Sequence, residues 1–284
     1  MAQYSKNRTS FYPNENDDIF EVGLLGTKDG NVVSDINPLP VTMSQAASYG
    51  SNKPFYLNVA QGLIPGYSGN HKFGAVPLMS INTTGTVWDI NDTLYPWDSW
   101  TTPGTITLDR ANAADINHIV RVEGLDASFN FVSVDITLTD VSNASAQVFS
   151  RINRMYLLTD GNANLGHINA VKGGVTVARI TALKGQTLMS VFTIPAGKTG
   201  YLINVCMSTQ TNGDGSGQVM VRDFGDEVFL IKHAFEISGE GGHYMYDFHI
   251  PTPITEKSDI DIRAISRANN GRYTAVFDIL LVDN

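Results

Sequence analysis

The chain contains 284 residues with a formal net charge of -9; 42% of the residues are hydrophobic, 17% are charged and 26 residues are glycine. This length allows one large β domain or two smaller ones, and the composition favours short strands and turns over long solvated helices. Lysine and arginine are scattered singly, so the negative net charge argues against nucleic acid as a partner.

Cys206 is the only cysteine, which excludes an intrachain disulfide and a multi-cysteine zinc site. It lies in the apolar run 201–207 and is interpreted as a small core residue rather than a nucleophile. The first residues lack the apolar stretch of a signal peptide, and no run reaches the roughly eighteen apolar residues of a membrane helix. We expect a protein made in a cytoplasm, without membrane insertion and without a cofactor, that leaves a cell by lysis or within a particle.

Residues 1–54 are polar and rich in turn signals, and their apolar side chains occur only in short pieces. A segment of this composition cannot bury a core of its own. It is either a flexible leader or an arm that becomes ordered against a neighbouring protein, and its apolar residues favour the arm. The side chains predicted to attach this arm are Phe20, Val22, Leu24, Val33 and Leu39.

In residues 55–183, strand signals recur at a spacing of about ten residues, which predicts a β-sandwich or β-barrel domain. The clearest strand is 132–138, where valine, isoleucine and leucine alternate with polar residues. The preceding apolar segment, 119–123, is separated from it by a short loop. The two segments are therefore predicted to form a hairpin.

An aromatic group lies in the segment 86–100. Flat rings bury a large area at little entropic cost, so such a group can contact a glycan or another protein at a surface. It can equally form a lid on the core beneath, because tryptophan is highly buried on average. The residues of this candidate surface or glycan contact are Trp88, Tyr95, Trp97 and Trp100.

Residues 184–284 are predicted to form a C-terminal antiparallel β-sandwich of the jelly-roll type, with about seven strands. The closing strand, 273–282, shows the clearest alternation. One face of this strand is apolar at every second position, so the strand is expected to be tied into a sheet. The residues on that face are Tyr273, Ala275, Phe277, Ile279 and Leu281.

No nucleotide-binding glycine loop, zinc-protease motif or nucleophile elbow occurs in the sequence. His243 and His249 would lie about 20 Å apart on one strand, too far to bind one metal ion. Acidic pairs such as Asp223 and Asp226 suit glycan cleavage, although solvated loop charge is the simpler interpretation. We therefore expect no catalytic, metal or cofactor site, and a polysaccharide depolymerase is only a third hypothesis.

Several short stretches, taken in order, resemble virion structural proteins of tailed bacteriophages, especially phages of aquatic bacteria such as cyanophages. The match extends over most of the chain from residue 29 onward. The stretches are DGNVVS (29–34), NPLPV (37–41), NVAQG (58–62), HKFG (71–74), VWD (87–89), VEGLD (122–126), FSRINR (149–154), IPAGKTGYL (194–202) and ILLVD (279–283).

The resemblance implies a non-enzymatic accessory component of the virion exterior, in the neck, a tail fibre or the head decoration. It offers no catalytic residues to transfer to this chain. Particle proteins are typically symmetric oligomers, so a trimer is expected by analogy. In this interpretation the arm 1–54 attaches to other phage structural proteins and the β domains project outward. The alternative is a host-receptor or glycan-binding module of the phage tail.

Overall fold

The computed structural model describes residues 11–13, 19–21, 54–90, 92–158, 163–210, 214–239 and 241–284. Its contacts divide the chain into two units, Met1–Pro54 and Phe55–Asn284. In the first unit, β1 (Phe11–Pro13) pairs with β2 (Ile19–Glu21) as an antiparallel hairpin. The remaining described elements belong to the second unit.

The second unit is built mainly of antiparallel strands, which confirms the predicted all-β class. It begins with the short helix α1 (Phe55–Ala60) and includes 3-10 turns at Trp97–Trp100 and Ala113–Asp115. Within the described ranges, no helix is long and apolar enough to cross a membrane. In chain order the strands are β3 (Tyr67–Met79), β4 (Thr84–Thr86), β5 (Thr107–Arg110), β6 (Ile119–Leu125), β7 (Phe131–Thr137), β8 (Ser142–Ala144), β9 (Arg151–Leu157), β10 (Ile168–Lys172), β11 (Val175–Ile180), β12 (Val191–Thr193), β13 (Lys198–Thr209), β14 (Gly215–Arg222), β15 (Leu230–Ile237), β16 (His243–Ile254), β17 (Asp259–Ser266) and β18 (Gly271–Asp283).

Eight of these strands form two sheets with the strand order of a jelly roll. One sheet has the order β16-β13-β18-β3, and the other has the order β12-β17-β14-β15, with β4 also paired to β17. When β3 and β12 to β18 are numbered one to eight along the chain, the sheets read 1-8-3-6 and 2-7-4-5. Two Greek keys interlocked in this way make a jelly roll. The predicted jelly-roll-like antiparallel sandwich is therefore confirmed.

The two sheets of the jelly roll enclose one hydrophobic cluster, to which both contribute side chains. In β18, the five apolar residues predicted to share a face, from Tyr273 to Leu281, are each no more than 6% exposed. Each large side chain buried in this way contributes about 1.5–3 kcal/mol. The period-two pattern thus identified the core-facing side of β18 correctly.

Strands β5 to β11 form a second, smaller sandwich around its own hydrophobic cluster. Its sheets have the orders β11-β10-β5-β8 and β7-β6-β9. The predicted hairpin is present as β6 and β7, in which Val122 lies opposite Val134. We call residues 88–190 the inserted sandwich, because they lie between β4 and β12 of the jelly roll.

The inserted sandwich begins and ends at one place, beside Gly74 of β3. The backbone amide and the hydroxyl of Ser190 both donate to the carbonyl oxygen of Val87, at 3.0 and 2.6 Å. A Cβ atom at Gly74 would lie 2.1 Å from that oxygen. Glycine is needed at this position because backbone approaches it closely on one side.

The structure groups the strands differently from the predicted division at 183/184. Strand β3 pairs with β18 along its length, so that Tyr67 lies opposite Val282. The jelly roll therefore combines residues 67–87 with residues 191–283, and the inserted sandwich interrupts it. A pairing between strands so far apart in the chain depends on tertiary packing, which local periodicity does not reveal.

Candidate functional site

The aromatic residues predicted to form a surface or glycan contact lie inside the molecule. Trp88, Tyr95, Trp97 and Trp100 are only 2%, 3%, 6% and 3% exposed. The indole nitrogen of Trp88 donates to a backbone carbonyl at 3.0 Å and that of Trp100 donates to the Tyr95 hydroxyl at 2.9 Å. The indole nitrogen of Trp97 donates to the carboxylate of Asp261 at 3.1 Å. These rings belong to the hydrophobic cluster of the inserted sandwich.

This burial corrects the glycan-contact hypothesis for the aromatic group. A stacking platform must present ring faces to solvent, whereas the Tyr95 ring packs edge-on against Trp88 and Trp97, with centroid distances of 5.2 and 4.6 Å. Burial also raises the pKa of the Tyr95 hydroxyl. The four aromatic residues instead form a lid on the core, which was the other interpretation of this aromatic segment.

A buried charged cluster joins the inserted sandwich to the jelly roll. Asp259, at the start of β17, accepts hydrogen bonds from Arg151 of β9 at 2.8 and 2.9 Å. It also accepts from Arg222 at 2.7 Å and from the hydroxyl of Thr193 at 2.6 Å. Asp259 is 2% exposed and Arg151 is 7% exposed. Both carboxylate oxygens have partners, which is the condition for burying a charge without a large penalty.

A second carboxylate, Asp261, extends the cluster along the same strand. It is fully buried and accepts hydrogen bonds from Thr86 at 2.9 Å, from Trp97 at 3.1 Å and from Arg263 at 2.8 Å. The Arg263 guanidinium lies 4.8 Å from the ring centroid of Phe229, a cation–π contact. We call the following residues the junction cluster: Trp97, Arg151, Arg222, Asp259, Asp261 and Arg263.

The junction cluster fixes the orientation of the two sandwiches. A bidentate pair between arginine and carboxylate restrains angle as well as distance, and the pair between Arg151 and Asp259 connects β9 of the inserted sandwich to β17 of the jelly roll. Because every carboxylate oxygen of the cluster is engaged by a neighbour, its chemistry suits rigid attachment rather than proton transfer.

The junction cluster was not predicted from the sequence. In β17, charged residues alternate with apolar residues, a pattern that usually places the charged side in solvent. The structure buries this side as well, because Arg151 and Trp97 of the inserted sandwich cover it. The available signal was the combination of Asp259, Asp261 and Arg263 on one face of a strand.

One side of the jelly roll exposes large apolar side chains. Strands β15 and β16 are the outermost strands of their sheets, and His233 and Tyr244 connect them through a 2.9 Å hydrogen bond. In β16, the pairing with β13 shifts between Asp247 and Thr252, so that four residues of β16 lie opposite one residue of β13. We call this surface the β15–β16 edge, and its exposed apolar residues are Leu230 (52%), Ile231 (54%), Met245 (67%) and Ile250 (88%).

Stacked aromatic rings connect the two strands of the β15–β16 edge. The ring of Phe235 stacks on that of Tyr244 with a centroid distance of 4.2 Å and an interplanar angle of 6°. The ring of His233 stacks on Tyr246 at 4.7 Å. Rings packed at these distances hold both strands in place. The β15–β16 edge is therefore held in place by packed rings and exposes apolar side chains to solvent.

The side chains predicted to attach the arm lie outside the described part of the chain. Phe20 lies in β2, but its side chain is outside the described part of the chain, as are Val22, Leu24, Val33 and Leu39. In the described ranges there is no group of three or more histidine, cysteine or acidic side chains that could hold a metal ion.

Comparisons with known proteins give distant structural similarity. No protein-family model matches the chain, and no curated protein sequence matches it. The structure of the infectious bursal disease virus Gx strain has a TM-score of 0.23 and 9% identity, over 76% of this chain and 72% of that chain. The T=1 particles derived from infectious bursal virus give a TM-score of 0.20 and 10% identity, over 76% and 70%.

A Cry1Da tryptic core variant of Bacillus thuringiensis has a TM-score of 0.19 and 6% identity, over 72% of this chain and 58% of that chain. The chain is thus weakly similar to viral structures, but TM-scores of this size do not establish a shared fold. The assignment to the jelly-roll class comes from the order of its own strands.

Proposed function

We propose that this chain is a non-enzymatic structural protein of a virus particle. The observation that carries the proposal is the strand order 1-8-3-6 and 2-7-4-5, because double-sheet jelly rolls of this kind are the building domains of many viral capsids. The inserted sandwich and the junction cluster add a rigid body to that domain, as an outward projection requires.

At a finer level, the proposed particle is that of a tailed bacteriophage, and the protein is an accessory component of its exterior in the neck, a tail fibre or the head decoration. The ordered sequence stretches from DGNVVS to ILLVD support this assignment. The arm 1–54 attaches the protein to other phage structural proteins, and the second unit projects from the particle.

We further propose that copies of the chain associate through the β15–β16 edge, with a trimer as the expected oligomer. The net charge of -9 makes copies repel at long range, so close association must gain its free energy from short-range burial of apolar surface. The edge supplies such a surface on the outermost strands of both sheets, which have no further strand beside them in the part of the chain that the structure describes.

Particle attachment is tested by supplying two epitope-tagged versions during infection, the full chain and a version that lacks residues 1–54. We expect both versions to fold and only the full chain to be found in purified virions. Incorporation of the truncated version at the level of the full chain would contradict the role of the arm. Absence of the full chain from virions would overturn the proposed function.

Oligomerisation is tested by light scattering on the variant that combines Ile231→Asp with Ile250→Asp. Two buried carboxylates would oppose association, so we expect a folded monomer where the unmodified chain is an oligomer. Leu183→Asp is the matched control, because Leu183 is 67% exposed in the inserted sandwich. A monomeric unmodified chain, or an unchanged oligomer in the double variant, would refute the role of the edge.

A further inference from the structure

A cavity of about 350 Å³ lies where β3 of the jelly roll meets the inserted sandwich. Its apolar lining includes Phe131, Phe192 and Leu281. Its cationic lining includes Lys72, Arg154 and Lys198, with Glu123 as the acidic side chain. An apolar cavity with converging charged groups is the usual form of a small-molecule site.

Lys72 is the unusual member of this lining. It is 6% exposed, and its ammonium group donates to the backbone carbonyl of Asn153. In the described part of the chain it forms no salt bridge with a carboxylate. Desolvation by burial, together with the charge of Arg154, lowers the pKa of Lys72 to about 7, while Glu123 acts in the opposite direction.

The other charged groups of the cavity have partners of their own. Arg154 donates to Gln186 at 2.8 Å. Lys198 pairs with Asp283, and Glu123 accepts from the hydroxyl of Tyr156 at 2.9 Å. Lys72 differs from these two cations because it is buried and donates to a backbone carbonyl rather than to a side chain, and an ammonium group has three donors.

A buried ammonium group without a counter-ion reduces the stability of the folded chain. An anion in the cavity would supply the missing acceptor, and the phenylalanine and leucine side chains would cover an apolar body attached to that anion. Inorganic phosphate, which is hydrated on every side, matches only the cationic part of this lining.

We propose that this cavity binds a small carboxylate with an apolar body, whose carboxylate group accepts hydrogen bonds from Lys72 and whose body packs against Phe131, Phe192 and Leu281. This site is independent of the proposed role in a particle, because it lies between the two sandwiches rather than at the β15–β16 edge or the arm.

The test uses hexanoate and isothermal titration calorimetry on the full chain. We expect saturable binding of hexanoate at pH 6, weaker binding of acetate, and little binding of hexanol, which lacks the charge. Lys72→Met should lower the affinity for hexanoate at least tenfold and should fold readily, because it removes a buried charge. Lys232→Met on the exposed face of β15 is the control and should bind as the unmodified chain does.

The pH dependence gives a second readout. Hexanoate is mostly ionised at pH 6 and above, because unperturbed carboxyl groups have pKa values of about 4–5. His71, Glu123, Arg154, Lys198 and Asp283 are the other ionisable groups around the cavity. Binding should weaken as the pH rises above about 7, where Lys72 loses its proton. In NMR titrations of the lysine Cε signals, hexanoate should raise the pKa of Lys72.

Failure of hexanoate to saturate, equal affinity in Lys72→Met, or an unchanged pKa of Lys72 on binding would each overturn the proposal. Tighter binding of inorganic phosphate than of hexanoate would overturn the assignment to carboxylates.

Discussion

Arg151 and Asp259 form a buried bidentate ion pair, at 2.8 and 2.9 Å, between residues that are 108 positions apart in the chain. The pair connects the inserted sandwich to the jelly roll. Because Arg222 and Thr193 engage the same carboxylate, Asp259 is the point on which both sandwiches converge.

Arg151→Met should therefore destabilise the chain by about 1.5–3 kcal/mol, the usual worth of hydrogen bonds to a charged group, because Asp259 loses Arg151 but keeps Arg222 and Thr193. Urea denaturation measures the change. Arg121→Met is the matched control, since Arg121 forms an equally bidentate pair with Asp135, but on an exposed surface. The control should change stability little, and equal effects of the two substitutions would contradict the structural role of the junction.

Gly74→Ala should prevent normal folding or destabilise the chain severely. The added Cβ atom would lie 2.1 Å from the Val87 oxygen and 2.5 Å from the Ser190 amide nitrogen, and both are backbone atoms that cannot rotate away. Gly69→Ala on the same strand meets no atom within 4 Å and should be tolerated. Soluble yield and thermal denaturation distinguish the two variants, and similar behaviour of both would be inconsistent with the close approach at Gly74.

Lys72→Met should stabilise the chain in the absence of ligand, and more so at low pH. The pKa of Lys72 is about 7 in the folded chain against 10.5 in the unfolded chain, so the unfolded chain binds more protons between these values. Stability of the unmodified chain therefore rises with pH over this window. Below pH 7, burial of the charged Lys72 side chain lowers the stability of the folded chain by its full amount, roughly 5 kcal/mol. Denaturation at pH 6 and pH 10 should show a large advantage of Lys72→Met that shrinks at the higher pH.

Asp89→Asn should stabilise the chain at neutral pH with the opposite pH dependence. Desolvation by burial raises the pKa of Asp89 from 3.8 to about 6, although the Thr181 hydroxyl donates to it at 2.9 Å. The folded chain binds more protons between these values, so stability falls as the pH rises through the window. Asp89→Asn should raise the free energy of unfolding by about 3 kcal/mol at pH 7, and this gain should vanish below about pH 4. An equal gain at neutral and at acidic pH would refute this explanation.

Local patterns predicted much of the fold. The alternation from Tyr273 to Leu281 identified the inner face of β18, and the segments around Val122 and Val134 predicted a hairpin that the structure contains. Both features depend on the two-residue period of a strand or on a short turn, which neighbouring residues determine. Pairing of β3 with β18 depends instead on packing between distant segments, so the boundary at 183/184 misplaced β3.

The buried aromatic and charged residues of the candidate site were predicted less well from the sequence. The burial of Trp97 and Trp100 was an open alternative, because an aromatic group fits a core as well as a surface. Asp259 and Lys72 were not predicted, since a charged residue in an alternating strand is normally assigned to solvent. Asp259 and Lys72 are buried because the inserted sandwich packs against the jelly roll, and this tertiary contact is not encoded in the local sequence pattern.

The hydrogen bonds between Ser190 and Val87 mean that the polypeptide departs from the jelly roll and returns to it at adjoining atoms. A short turn could bridge the same gap, so the eight-stranded framework does not need the intervening hundred or so residues to define its topology. Another segment could therefore replace it, provided that the replacement supplies a new partner for Asp259.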